Sequence, residues 1–531
     1  MGASKEKKKR VGYREEGLDW KSKKLAEEEK ARKKSNIKHW VIGSLTVIII
    51  AVIIVFGSNI TYKYFTAVKA GDVGYSSADY NYYYYTTYNN YYSSYYNSYG
   101  DYAQYFMPSE ADLKQDTLDT MQEVALLTTE AKAAGYTLPQ EGLDSVDQAI
   151  STYKSAASQN NYSSLGSFLA AYYGKGMSEK IFVEDMTDYL TASYYAKELV
   201  GSYEYTSDEL SAYYDENKDD FDNFTFRYFY FDGSAVEADE ENGVEAVDSE
   251  TAMANAKALA DEFLGKITDE SSFTALAYSY ADENSKSSYQ DPDYSLVTYQ
   301  GSYISSNMPN VYDWIIGSGR TEGETTVAES TSGYYVVYYI SRADNDYATV
   351  DARHILIAPV TVNKDDYTTD EEYQAAVTAA SDAAKEKADE VYTEWKNGDM
   401  TEESFAALAD QYSGDTGSNN NGGLYEKIYK GQMLTEFNDW VFNSSRKAGD
   451  TGIIQTSYGY HIIYFVGTDM TYNDYLADSA KREEQYSTWK EENLVDYPVS
   501  TNWFLNWGTK KETTSDSGST DTSTGTDTAA G

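Results

Sequence analysis

Two stretches of the sequence, residues 223–345 and 350–468, carry the same landmarks in the same order, so the chain is expected to fold one unit twice. Each opens on a short strand-like run, RYFYF at Arg227–Phe231 and RHILI at Arg353–Ile357. Each continues into a helix-like run, SFTALAYSYADE from Ser272 and SFAALADQYSGD from Ser404. Phe405, Leu408, Ala409 and Tyr412 stand at the spacing of one buried helical face, and Phe273, Leu276, Ala277 and Tyr280 repeat it. Trp314 and Trp440, Gly323 and Gly449, and Gly333 and Gly459 are each offset by 126 residues. The same offset sets Tyr228 against His354 and Tyr335 against His461. The chain has only 3 histidines, the third being His39, so two of them mark matching ends of the second copy and both are Tyr in the first. A lone strand histidine is usually structural. Two that appear and vanish together point to a site.

The second copy resembles the parvulin peptidyl-prolyl isomerases over its full length. The residues that carry the likeness are RHILI, the SGD loop after the helix, Gly422–Gly423, the GQM of Gly431–Met433, Phe437, and GYHII at the end. The resemblance implies that His354 and His461 face each other across the central strands in a hydrogen-bond network that Thr456 joins. It implies that Asp415 lies near the substrate carbonyl, and that Met433 and Phe437 wall the proline pocket. Where the family usually reads GGDLG this chain reads GGLYE, so Tyr425 replaces the pocket leucine. The catalytic set is thus expected to be His354, Asp415, His461 and Thr456, with Met433, Phe437 and Tyr425 binding substrate. The first copy has Asn307 and Val311 at the Met433 and Phe437 positions, and is expected to fold as a parvulin without isomerase activity.

Such chemistry needs neither cofactor nor metal. Rotation about a peptide bond meets a barrier of about 18–20 kcal/mol, and a catalyst has only to favour the twisted amide. The loop APVTVNKDDYTTDEEY after RHILI is acidic, and no preference for phosphorylated substrates is expected.

The rest of the chain sets the context. Residues 1–38 are basic and read as a cytoplasmic tail. The uncharged run within 39–62, with VIGSLTVIIIAVIIVF at Val41–Phe56, reads as a single transmembrane signal anchor contacting the lipid bilayer, with the later domains outside the cell. The net charge of −43 argues against nucleic acid as a partner, and the absence of cysteine excludes disulfides and thiolate chemistry. Residues 63–222 have helical periodicity, with Leu113, Leu118, Met121, Val124, Ala125 and Leu126 near one stripe and a capping-box spacing at Thr206 and Glu209. This stretch resembles the helical chaperone domain of SurA- and PrsA-like proteins, most clearly in TSDELSAYYDENKDDF before a strand. Its tyrosine run, Tyr75–Tyr105, reads either as low-complexity coil or as a helix capped by Ser76 or Ser77, the second being preferred. A helix is expected in 469–510, and 511–531 reads as a disordered tail.

The whole is an α+β chain: one transmembrane helix, a SurA-like helical chaperone domain, and two tandem parvulin-like domains of antiparallel sheet with packed helices. The expected function is a membrane-anchored, extracytoplasmic peptidyl-prolyl isomerase and chaperone acting on unfolded, proline-containing secreted polypeptides. A non-catalytic holdase using its parvulin folds to bind clients is the main alternative, and a cell-surface scaffold a lesser one.

Overall fold

Alternating apolar residues build two four-stranded antiparallel sheets. The first comprises β3 (Asn223–Asp232), β4 (Leu296–Gln300), β5 (Thr325–Ser330) and β6 (Gly333–Ala343), in the order β4-β3-β6-β5. The second comprises β7 (Ala348–Ile357), β8 (Leu424–Ile428), β9 (Thr451–Thr456) and β10 (Gly459–Thr471), in the order β8-β7-β10-β9. The strand order is therefore the same, and so is the central register: Tyr228 lies opposite Val337, and His354 opposite Ile463. Repeated side chains do repeated work. Arg227 Nε pairs with Glu270 at 2.7 Å and Arg353 Nε with Glu402 at 2.8 Å. The Arg320 guanidinium stacks 3.6 Å from the Trp314 ring centre, and that of Arg446 lies 3.8 Å from Trp440. The computed structural model describes residues 7–8, 11, 20–57, 59–238, 245–502 and 505, without the side chains of 20, 36, 37, 39, 43 and 51–57.

Strand periodicity sorts the second sheet into two cores. Ile355, Ile357, Tyr460 and Ile462 pack on helices Asp370–Asn397 and Glu402–Tyr412 through Ala388, Val391, Trp395, Phe405 and Ala409. The second of these helices starts with a capping box, Thr401 with Ser404, which satisfies otherwise orphaned backbone donors. Val350, Ala352, Ile463 and Phe465 face the other way, against Ile428 and against Phe437 and Val441 of the short helix Thr435–Val441. His354 and His461 share the parity of this second set. The pleat alone therefore turns both imidazoles toward Phe437.

These sheets lie in one of two units, residues 203–484; the other comprises 1–202 with 485–531. In the latter, helices Ser77–Tyr99, Glu110–Ala133, Gln140–Gln159, Leu165–Tyr173 and Glu179–Gly201 enclose a core of Tyr80, Tyr82, Tyr83, Met121, Leu169 and Phe182, among others. The tyrosine run is a helix because Ser76 caps it, accepting from the Ala78 and Asp79 amides while Asp79 accepts from Ser76 N at 2.6 Å. Its first half is core and its second half is exposed. A small sheet in the order β11-β1-β2 joins β1 (Thr66–Ala70) and β2 (Val73–Ser76) to β11 (Val499–Thr501). The helix Tyr472–Leu494 leads to β11, and Trp489, Tyr497 and Val499 pack on the same core.

The transmembrane expectation is corrected. Residues 39–62 fall mainly on the helix Trp20–Gly57, and among the described residues no helix is long and apolar enough to cross a membrane. The first half of that helix, from Trp20 to Lys38, is rich in Lys and Glu. The bilayer contact expected of residues 39–62 has no support among the described residues. The tail 511–531 lies outside the described residues.

Candidate active site

β7 and β10 place His354 and His461 on one sheet face, one diagonal step apart, since His461 lies opposite Leu356 and His354 opposite Ile463. The rings are nearly parallel at 13°, with Nδ1 to Nδ1 3.0 Å apart. His354 Nε2 lies 2.7 Å from Asp415 Oδ2, and His461 Nε2 lies 2.8 Å from Thr456 Oγ1. All four expected residues thus form one continuous chain of contacts. Asp415 stands in the loop that leaves helix Glu402–Tyr412. Its Oδ2 also accepts from Ser418 Oγ at 2.5 Å and from the Tyr425 hydroxyl at 3.0 Å, and its Oδ1 accepts from Gly417 N at 3.2 Å.

The electrostatics select one arrangement of protons. Burial lowers the pKa of His354 despite the carboxylate beside it. Burial, and then the neighbouring His354, bring His461 down to about 4. Burial works against ionising Asp415, but the bonds from Ser418, His354 and Tyr425 outweigh it and hold the carboxyl at about 2. At neutral pH both imidazoles are therefore neutral and the carboxylate is charged, so His354 Nε2–H donates to Asp415. His354 Nδ1 is left to accept from His461 Nδ1–H, and His461 Nε2 to accept from the Thr456 hydroxyl. Every proton in the chain points toward Asp415.

Beside this chain lies a cavity of about 210 Å³ lined by His354, Leu356, Asp415, Tyr425, Met433, Leu434, Phe437, Tyr458 and His461. Phe437 is 3% exposed and presents its ring edge-on to both histidines, at 5.6 and 5.9 Å. Met433 and Tyr425 are half-buried on the same side. The GG motif has a steric cause. Gly423 has φ +70°, its carbonyl accepts from His354 N at 2.8 Å, and a Cβ there would sit 2.2 Å from the His354 carbonyl oxygen. The Tyr425 of the altered loop is tied into the site by its bond to Asp415.

Sequence reasoning missed Ser418, which is buried and touches both Asp415 and His354 Nε2, the latter at 3.3 Å. Its only local signal is a serine three residues past an aspartate in a turn-rich loop, a common pattern. Tyr458, Leu434 and Leu356 of the cavity wall were missed too. In the first sheet the histidine positions hold Tyr228 and Tyr335, with ring centres 5.9 Å apart. Among the described residues, no group of three or more His, Asp or Glu is placed to hold a metal.

Comparison with known proteins separates the two units. Residues 334–468 match the PPIC-type PPIase domain, and residues 31–195 match the SurA-like N-terminal domain. The chain is 39% identical over 79 residues to foldase protein PrsA 1 of Listeria innocua, covering 15% of this chain and 26% of that protein. It is 39% identical over 82 residues to foldase protein PrsA of Caldanaerobacter subterraneus, covering 15% and 25%. The chain thus spans about a quarter of the length of these relatives. A solved structure of peptidylprolyl isomerase (PrsA) from Bacillus cereus aligns over 60% of this chain and 86% of its own, at 15% identity and a TM-score of 0.20. One PPIC-type domain is matched, not two, which corrects the expectation of tandem parvulin-like domains. The first sheet repeats the strand order, but Tyr228, Tyr335, Asn307 and Val311 replace the side chains that form the second sheet's site. Residues 334–468 are thus similar to a PPIC-type PPIase domain, carried in one chain with a stretch similar to a SurA-like N-terminal domain.

Proposed function

We propose that the chain is a foldase: the domain expected at 350–468 isomerises X-Pro peptide bonds, and the helical domain expected at 63–222 holds the unfolded, proline-containing secreted polypeptide on which it acts. The observation that carries this reading is the apolar cavity set directly on the Thr456–His461–His354–Asp415 chain.

X-Pro bonds isomerise in tens of seconds or more because amide resonance must be broken. A proline ring seated against Met433 and Phe437 fixes one side of the bond and strips water from the amide, whose charge-separated planar form water stabilises. The Asp415 carboxylate, ionised throughout the physiological range, disfavours negative charge on the substrate carbonyl and so favours the twisted, ketone-like state. His354, His461 and Thr456 hold that carboxylate and the pocket floor in place, since each donates to the next. Tyr425 closes the wall and shares the load on Asp415. No step requires a cofactor, and the site works outside the cytoplasm as it would inside.

The test is cis/trans isomerisation of a short X-Pro peptide, without a coupled protease, by the chain and by its Met433→Ala and Asp415→Asn variants. Both are expected to lose at least tenfold in kcat/KM, with Met433→Ala acting chiefly on KM. A folded wild-type chain that does not exceed the spontaneous rate overturns the isomerase reading and favours a holdase.

A further inference from the structure

The tyrosine helix Ser77–Tyr99 changes character along its length. Tyr80, Tyr82 and Tyr83 are at most 5% exposed, whereas Tyr92, Tyr96 and Tyr99 are 37–48% exposed. Beyond the helix, in the turn Gly100–Tyr105 and at its end, Tyr102, Tyr105 and Phe106 are 69%, 75% and 47% exposed. The exposed rings are ordered. Tyr88, Tyr92 and Tyr96 stack in a column at 6.3 and 5.9 Å, within 24° of parallel. Tyr99 lies 4.1 Å from Phe106. An exposed aromatic patch of this kind is a mark of an interaction surface.

Its electrostatics decide the kind of partner. From Ala70 to Leu113 the sequence contains no Lys or Arg, while Asp101 stands in the exposed turn Gly100–Tyr105 and Asp112 lies near Tyr91. Asp116, on the packed helix Glu110–Ala133, accepts from the Tyr91 hydroxyl at 2.9 Å. The nearest following base, Lys114, is paired with Glu110. Aromatic faces attract cations, and guanidinium groups stack on them better than ammonium groups do. Carboxylates at the rim add a Coulomb term of the same sign. Nucleic acid also stacks on aromatic rings, but its phosphates are repelled here, as are anionic lipid headgroups.

We propose that the exposed end of the tyrosine helix, with the acidic rim around it, is a docking surface for extended, arginine-bearing polypeptide segments. This deepens the foldase reading, on which it rests, by naming a class of client segment. The surface captures a cationic stretch of an unfolded chain by stacking and charge, with no demand on side-chain sequence beyond that.

The test is fluorescence anisotropy of the full chain with a labelled 16-residue peptide of alternating Arg and Ser. The peptide contains no proline, so it does not report on the isomerase pocket. Lys–Ser and Glu–Ser peptides and an uncharged oligosaccharide serve as comparisons. Binding is expected to follow Arg over Lys over Glu and to weaken with salt. The variant Tyr92→Ser/Tyr96→Ser/Tyr102→Ser/Tyr105→Ser should weaken it by about tenfold or more, four cation–π contacts being lost. Asp101→Lys, which leaves every ring in place, should weaken it severalfold and serves as the second variant if the first loses helicity. Unchanged binding by Asp101→Lys, equal binding of the Glu–Ser peptide, or binding of the oligosaccharide alone overturns the proposal. X-Pro isomerisation is measured on the same samples. Activity without peptide docking sinks this inference alone, and docking without activity sinks the isomerase reading alone.

Discussion

Acidification should titrate the two site histidines very differently from ordinary ones, and the size of the effect follows from their burial. His461 is 6% exposed and its pKa falls from 6.5 to about 4. At pH 5.5 it should be about 3 per cent protonated, against about 90 per cent for an unperturbed imidazole. Between pH 6.5 and 4 the unfolded chain therefore binds a proton that the folded domain refuses. Stability accordingly falls as the pH is lowered through this window, by up to about 3 kcal/mol for this group. Asp415 does not contribute there: its pKa is depressed to about 2, so the stability it lends is intact above about 3.8 and is lost only as the pH falls toward 2. The chain contains only 3 histidines, so ¹⁵N-histidine labelling gives three ring systems to follow. Long-range ¹H–¹⁵N spectra report both protonation and tautomer. The expected result is a neutral His461 carrying its proton on Nδ1 and a neutral His354 carrying its proton on Nε2, with the His461 midpoint near pH 4. A midpoint near 6.5, or the reversed tautomers, refutes the proton chain deduced above.

Three further changes have defined outcomes. Tyr425→Phe removes one donor from Asp415 Oδ2, and should move that carboxyl's pKa up from about 2 and cut isomerisation severalfold without unfolding; ¹³C-carboxyl titration and the X-Pro assay read the two effects. Thr456→Val keeps the side-chain shape but leaves buried His461 Nε2 without its donor, costing about 1–3 kcal/mol, measurable by urea denaturation. Gly423→Ala places a Cβ against the His354 carbonyl at a backbone angle that costs an L-residue about 1–2 kcal/mol before the clash is counted. Hydrogen exchange at His354 N, which donates to Gly423 O, should accelerate sharply.

Much of the site was legible because two kinds of signal coincided. The 126-residue offset isolated His354 and His461 by what the other copy lacks, and strand parity then fixed the face they share with Phe437. Asp415 came from a motif that carries its own position. Ser418 had neither advantage: its role exists only because a loop folds back over β7, and no periodicity records that. The capped tyrosine helix was readable at its start, from Ser76, but not in the division between buried and exposed halves, which depends on Phe182 and Tyr173 from distant helices. Apolar run length misled at 39–62, where the evidence was an uncharged run behind a basic flank. The repeat misled in a subtler way. It reported shared strand order correctly, yet backbone pattern is preserved by side chains that no longer make the site, as Tyr228 and Tyr335 demonstrate.

The pairing of β1 with β11 sets Val68 beside Thr501, so the small sheet of the helical unit is completed by residues made more than 400 positions later. During synthesis every residue of 203–484 must emerge before that strand exists. Until then, the β11-facing edge of β1 stands unpaired, with backbone groups open to any passing strand. Closing a loop of this length is entropically costly, but the cost grows only logarithmically, so an already folded insert brings the two ends together at a smaller effective span. The intervening segment is in this sense a spacer that must be synthesised before the domain that surrounds it in sequence can be completed. A ribosome-bound chain halted before Val499 should keep the amides on the β11-facing edge of β1 fast-exchanging however long it waits, while those bonded to β2 are protected.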